Sequence, residues 1–152
     1  NIAIFAVCAV VAVLLATITP ASGFVGPLGG LALGLAGGVI CYGAVDLIKR
    51  RFKIDDALDV LAVHGVGGAT GTLLAAVFVV TSLGGVGLTD GVSMGDQFMV
   101  QLIGVVVTLV WSAVATFLIL KFVQLVCGLR VSDEEIIEGL DFSAHGEQGY
   151  NH

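Results

Sequence analysis

The chain has 152 residues, 57% hydrophobic and 12% charged, with a mean hydropathy of +1.07 and a formal net charge of -6. A soluble domain has roughly a quarter of its residues charged, so too few polar side chains remain here to coat a water-facing surface; a soluble globule and a disordered chain are both excluded. With 6 Lys and Arg against 12 acids, there is no basic face for nucleic acid.

The pattern that remains is an all-α, polytopic transmembrane bundle. Its first apolar run covers residues 2–18 and stops at the breaker cluster Thr19-Pro20-Ala21-Ser22-Gly23. The chain opens at Asn1-Ile2 without a Met or a basic flank. It therefore reads as a piece of a longer protein, not as a signal peptide followed by a mature domain. The second run, 28–48, is closed by Lys49, Arg50, Arg51 and Lys53. The third, 58–80, is broken only by Asp59 and His64, and a Gly-rich loop follows at 82–95. The fourth, 98–128, has about 30 residues, or about 45 Å of helix, and is expected to tilt, bend or protrude. An acidic tail, 130–152, contains Asp133, Glu134, Glu135, Glu138 and Asp141.

Short loops rich in Lys and Arg stay cytoplasmic. The loop after the second run takes most of the basic residues, and the loops at 19–27 and 82–97 have none. Parity over four spans then places the tail on the cytoplasmic side as well. Cys8, Cys41 and Cys127 sit in or at the end of apolar runs, match no metal or disulfide spacing, and are expected to be buried and inert.

The small residues indicate where helices touch. Gly26, Gly30, Gly34 and Gly38 form a GxxxG ridge on the second span, and Gly67, Gly71 and Ala75 form a similar row on the third. Asp55, Asp56 and Asp59 open the third span. Asp56 with Asp59 has the spacing of a capping box, so a cap is favoured over a direct binding role for Asp59. His64 lies inside the same span. At 100° per residue Val60, Gly67, Gly68 and Gly71 share its face, which points the imidazole at the close-packed side. The low dielectric favours the neutral ring, with one donor and one acceptor. From spacing alone, a transport role and a structural hydrogen bond to a neighbouring helix weigh about equally.

The stretch Asp-Asp-Ala-Leu-Asp-Val-Leu-Ala-Val-His-Gly-Val-Gly-Gly at 55–68 resembles a signature of the ammonium transporter family (Amt/Mep, relatives of the Rh proteins). Other stretches resemble the family in order and spacing: 17–27 its eighth-helix exit, 82–87 the loop before its last helix, and 128–131 with 138–147 its cytoplasmic tail. The resemblance implies spans eight to eleven of an eleven-span fold of two inverted repeats. It also implies a homotrimer in the plasma membrane bilayer, with a separate pore in each subunit.

The resemblance further implies that His64 is the second of two pore histidines, whose partner lies outside these residues. Val60 becomes a pore-wall residue. Asp59, Gly67, Gly68 and Gly71 support the pore helix. The expected activity is movement of ammonium or ammonia through an apolar pore, with no metal, no cofactor and no enzymatic step. The alternative is a non-conducting ammonium sensor signalling through its tail. In that tail Arg130, Gly139, Asp141 and Ser143 match regulatory positions, although Ser143 is favoured as an ordinary exposed serine. A PII-type signal protein is the implied partner at the cytoplasmic face. The chain is not expected to fold alone.

Overall fold

The computed structural model describes residues 16–147. The first predicted span lies outside the described residues, apart from its last turn at residues 16–18. Three helices among the described residues are long and apolar enough to cross a membrane: α1 (Pro27–Arg51), α2 (Leu61–Phe78) and α3 (Met94–Val126). Two short helices follow, α4 (Asp133–Glu138) and α5 (Leu140–His145). No strand occurs among the described residues.

The sequence explains each boundary. Pro27 at the first position of α1 loses no backbone bond, because that N–H has no partner in any helix. The last turn of α1 widens over Leu47–Arg51, where the cations suit the negative end of the helix dipole. Arg50 Nε bonds Asp46 Oδ1 at 2.7 Å, one turn back. The chain then reverses through Lys53, whose φ is 52°. The third predicted span starts later than expected, at Leu61 instead of 58, because Asp59 has a φ of 56° and cannot be helical. It ends at Phe78, where the chain turns through Thr81–Leu83 and a left-handed Gly84. The fourth starts earlier, at Met94. There Ser93 and Asp96 make a capping box that the sequence reading missed: the Asp96 N–H donates to Ser93 Oγ and the Ser93 N–H to Asp96 Oδ2, both at 3.1 Å.

Residues up to Val107 form one compact unit and those from Thr108 a second. In the first, α1 lies against α2 with the 16–25 segment packed on both. Thr17, Ala21, Leu33, Cys41 and Ala76 are fully covered. A cluster of Ala21, Leu33 and Ala75 is flanked by Ile18, Val25, Leu74 and Phe78. The loops at one end are tied together by backbone bonds. The Val86 N–H donates to the Phe24 carbonyl at 3.0 Å and the Gly87 N–H to the Val79 carbonyl at 2.8 Å.

The glycine ridge on α1 differs from the expected one. Gly30 and Gly38 face open space, whereas Gly29 meets Phe78 and Gly37 meets Thr17. The packed row runs Gly26, Gly29, Leu33, Gly37, Cys41, one step of three followed by steps of four, and Gly34 of the expected ridge is buried beside it; a row of fours alone drifts around the helix. The row on α2 is as expected at Gly67, Gly71 and Ala75, all buried. Of the cysteines, Cys41 is buried, Cys127 is exposed beyond the last turn of α3, and Cys8 lies outside the described residues.

The second unit contains the tail. Gly128, with a φ of 79°, ends α3. Ser132 caps α4 in a full capping box: its N–H donates to Glu135 Oε2 at 2.8 Å, and the Glu135 N–H returns to Ser132 Oγ at 3.3 Å. The Ser132 N–H, and after it the Ser132 hydroxyl donating to the same oxygen at 2.9 Å, favour the ionised Glu135 carboxyl and hold its pKa below the usual range. Gly139, with a φ of 98°, turns the chain into α5. There the Ser143 hydroxyl donates to the Gly139 carbonyl at 3.0 Å. Ser143 is half-buried and engaged, and so differs from the free surface serine expected.

Candidate functional site

The site is built at the start of α2. Asp56 is its cap. Oδ1 accepts the Val60 N–H at 2.9 Å and Oδ2 the Leu61 N–H at 2.8 Å, so one carboxylate satisfies two otherwise unpaired donors. The capping role expected at Asp59 therefore belongs to Asp56. Asp59 instead pairs with Lys49 of α1, Nζ to Oδ1 at 2.8 Å. The Asp59 carbonyl accepts the Val63 N–H at 2.8 Å, forming the rung just before His64.

The first turn of α2, Leu61–Val66, is wound more widely than an α-helix, with bonds reaching five residues back. This winding changes which residues share a face. Gly67 and Gly71 turn into the packed seam. A Cβ at Gly67 would lie 2.9 Å from Cys41 Sγ, and one at Gly71 would run into the Thr17 carbonyl. His64, Val60 and Gly65 are exposed, and Gly68 has nothing within 4 Å of where its Cβ would be. The expected placement of His64 on the close-packed side is thus corrected. A uniform 100° step does not hold through a wide turn, and the imidazole lies on the side of α2 that α1 leaves uncovered. The His64 ring has no hydrogen-bond partner among the described residues.

The chain therefore brings His64 and Val60 to one open face, and Gly67 and Gly71 to the seam behind it. Sequence reasoning missed Lys49, Cys41 and Thr17 as supports of this site. Cys41 Sγ lies 4.0 Å from the Val63 carbonyl, at the outer limit of a thiol hydrogen bond, and Thr17 is fully covered. Thr17 was the legible one, as a polar residue ending an apolar run. Lys49 was not, because it reaches Asp59 across an irregular loop that no periodicity describes.

A second concavity, about 290 Å³, lies near the other end of α2 and is lined by Phe24, Val79, Thr89, Gln97 and Gln101 among others; His64 is not part of it. In the tail, Arg130 and Asp141 are exposed, while Gly139 and Ser143 are half-buried at the α4–α5 turn. His145 closes α5, and His152 lies outside the described residues.

The model of the Ammonium Transporter Family matches residues 3–150. An ammonium transporter of Bacillus subtilis is 40% identical over 138 residues, which are 90% of this chain and 34% of that protein. An ammonium transporter of Aquifex aeolicus is 45% identical over 139 residues, 90% of this chain and 32% of that protein. Ammonium transporter Amt1 of Archaeoglobus fulgidus is 40% identical over 138 residues, again 90% of this chain and 34% of that protein. The chain spans about a third of the length of these curated relatives.

Proposed function

Because the chain belongs to the ammonium transporter family, we propose that its full-length form carries ammonium or ammonia across a membrane, and that His64 lines the route. One observation supports the residue-level reading. An imidazole stands inside a span-length helix, exposed and without a hydrogen-bond partner among the described residues, near the apolar Val60. Ionisable groups at that depth are costly and line pathways or meet partners.

The physics of the cargo gives the mechanism. A bare ammonium ion in an apolar passage has lost its water without replacement, which costs several kcal/mol or more. Ammonia, once the proton has left, passes at far lower cost. An imidazole in its uncharged form offers one acceptor and one donor. It can take a hydrogen bond from the passing solute or hand on the proton. Val60 keeps the wall apolar, and Asp56, Gly67 and Gly71 hold the helix behind it. Potassium has no proton to shed and would need a ring of carbonyl oxygens to replace its water.

The finer parts of the reading are homotrimeric assembly in the plasma membrane and a cytoplasmic tail. The basic run Lys49–Lys53 supports the orientation. The self-capped α4–α5 pair supports a tail with a defined shape, suited to docking a PII-type signal protein.

His64→Ala in the full reading frame tests the proposal. Labelled methylammonium uptake is expected to fall on the order of a hundredfold, the usual scale for removing a positioned proton-handling group. Uptake and potassium exclusion at wild-type levels would remove His64 from the mechanism. An intact protein that carries no substrate at all, yet still changes its tail on ammonium addition, would favour the sensor.

A further inference from the structure

We infer that Lys49 and Asp59 form a latch that sets the rotational phase of α2, making both of them positioning residues for His64. The inference rests on the transport reading above and deepens it.

The segment between α1 and α2 is held in an unusual backbone state. Lys53 and Asp59 are the only non-glycine residues with positive φ among the described residues, at 52° and 56°. Side chains adopt that region at a cost, and such residues persist where surrounding bonds over-determine them. At Asp59 those bonds are visible. Its N–H donates to the Asp56 carbonyl at 3.2 Å, and its carbonyl accepts the Val63 N–H at 2.8 Å. Its carboxylate is gripped by Lys49 from the last turn of α1. Asp56 holds the next two N–H groups.

Asp56 and Lys49 do different work. The Asp56 cap is local to α2 and stabilises its first turn in any orientation. The Lys49 pair reaches back to α1, so it fixes where α2 begins relative to the helix it packs on. The wide turn Leu61–Val66 makes this consequential. Its five-residue bonds are intrinsically poorer than α-helical ones. With Gly67 and Gly71 fixed in the seam, relaxation of the wide turn by one residue would turn the side chains ahead of them by up to about 100°. That movement would carry His64 off the open face and leave the seam glycines in place. An exposed ion pair contributes little to overall stability. The side chains here are 40% and 32% exposed, so the expected effect is on His64 geometry and not on survival of the fold.

The test uses the full reading frame with Asp59→Asn, Lys49→Gln and Lys49→Arg. Asn tolerates the left-handed backbone, so Asp59→Asn removes charge without adding strain. Saturating methylammonium uptake is expected to fall about tenfold in Asp59→Asn and Lys49→Gln, the scale of one charge-assisted bond. Thermal unfolding should stay within a few degrees of wild type, and Lys49→Arg should transport normally. Wild-type rates in both charge-removing variants, with His64→Ala inactive, would overturn the latch and leave the transport reading standing. Wild-type rates in His64→Ala would overturn the transport reading itself. Failure of all three variants, Lys49→Arg included, to give assembled protein would also overturn the latch, because the pair would then be a folding element.

Discussion

The seam between α1 and α2 and the tail helices α4 and α5 are held together by opposite means. The seam is lined by small residues, with the Cys41 thiol reaching the Val63 carbonyl at 4.0 Å. It depends on the missing side chains of Gly29, Gly37, Gly67 and Gly71, which make room for Phe78, Thr17 and Cys41. The tail has no buried residue, and its shape comes from hydrogen bonds within a few residues: the Ser132–Glu135 box and the Ser143 hydroxyl on Gly139. In a membrane the hydrophobic effect does not drive helices together, so close packing must do so. In water a six-residue helix cannot be sustained by propensity, so caps must do so. The packed stretch around Gly67 and Gly71 should therefore respond chiefly to added methyl groups. The tail should respond chiefly to pH and to loss of its caps.

The largest effect should come from breaking the seam. Gly71→Leu forces a side chain into the Thr17 backbone, and Gly37→Leu forces one into the Thr17 side chain. Overpacking costs about 1–3 kcal/mol where the site can shift, and more where the obstacle is backbone. Gly71→Leu is expected to abolish assembly, read as loss of the monodisperse peak in detergent size exclusion. Gly38→Leu, at a position with nothing within 4 Å, is the control on the same helix and should be far milder. Equal damage from both would show that the seam is not where the structure places it.

A smaller effect is expected at the junction of the two styles. Asp56 uses a polar cap at the start of a membrane helix. Asp56→Ala leaves the Val60 and Leu61 N–H groups unpaired and should cost about 1–2 kcal/mol, seen as a lower unfolding temperature of the solubilised protein. Asp56→Asn should recover only part, since it loses the charge that suits the helix dipole.

These contrasts also explain what was legible in the sequence. Apolar runs and breakers located three spans among the described residues, because length and hydropathy are sums over many side chains. The α2 glycines were readable, because Gly67 and Gly71 are four apart on regular helix. Gly30 and Gly38 were misassigned to the packed row, since spacing alone does not tell which of two neighbouring stripes faces the partner. His64 was found by its rarity in a span and placed on the wrong side by the wide turn. Whether backbone bonds skip four residues or five depends on the surroundings, so no residue pattern announced it. Lys49 and Asp59 meet only because two left-handed residues fold the loop, which is a tertiary fact.

The smallest effect separates the regions most sharply. Glu135 has its pKa lowered, first by the Ser132 backbone N–H and then by the Ser132 hydroxyl. A carboxyl depressed in the folded state supports the fold above its unfolded pKa, and that support is lost as pH falls through the folded value. Acidification from neutral through and below the ordinary glutamate range should thus loosen α4. Residues 67–78, which carry no carboxyl side chain, should stay packed. Hydrogen exchange, corrected for the intrinsic pH dependence of amide exchange, reads this directly: protection across residues 133–138 should drop in acid while that across 67–78 holds. Ser132→Ala should lower tail protection at neutral pH and reduce, without abolishing, its pH response, since it removes the hydroxyl bonds to Glu135 but keeps the backbone one. Parallel loss of protection in both segments would mean that the tail and the seam share a common support, and the division between packing and capping would not describe this protein.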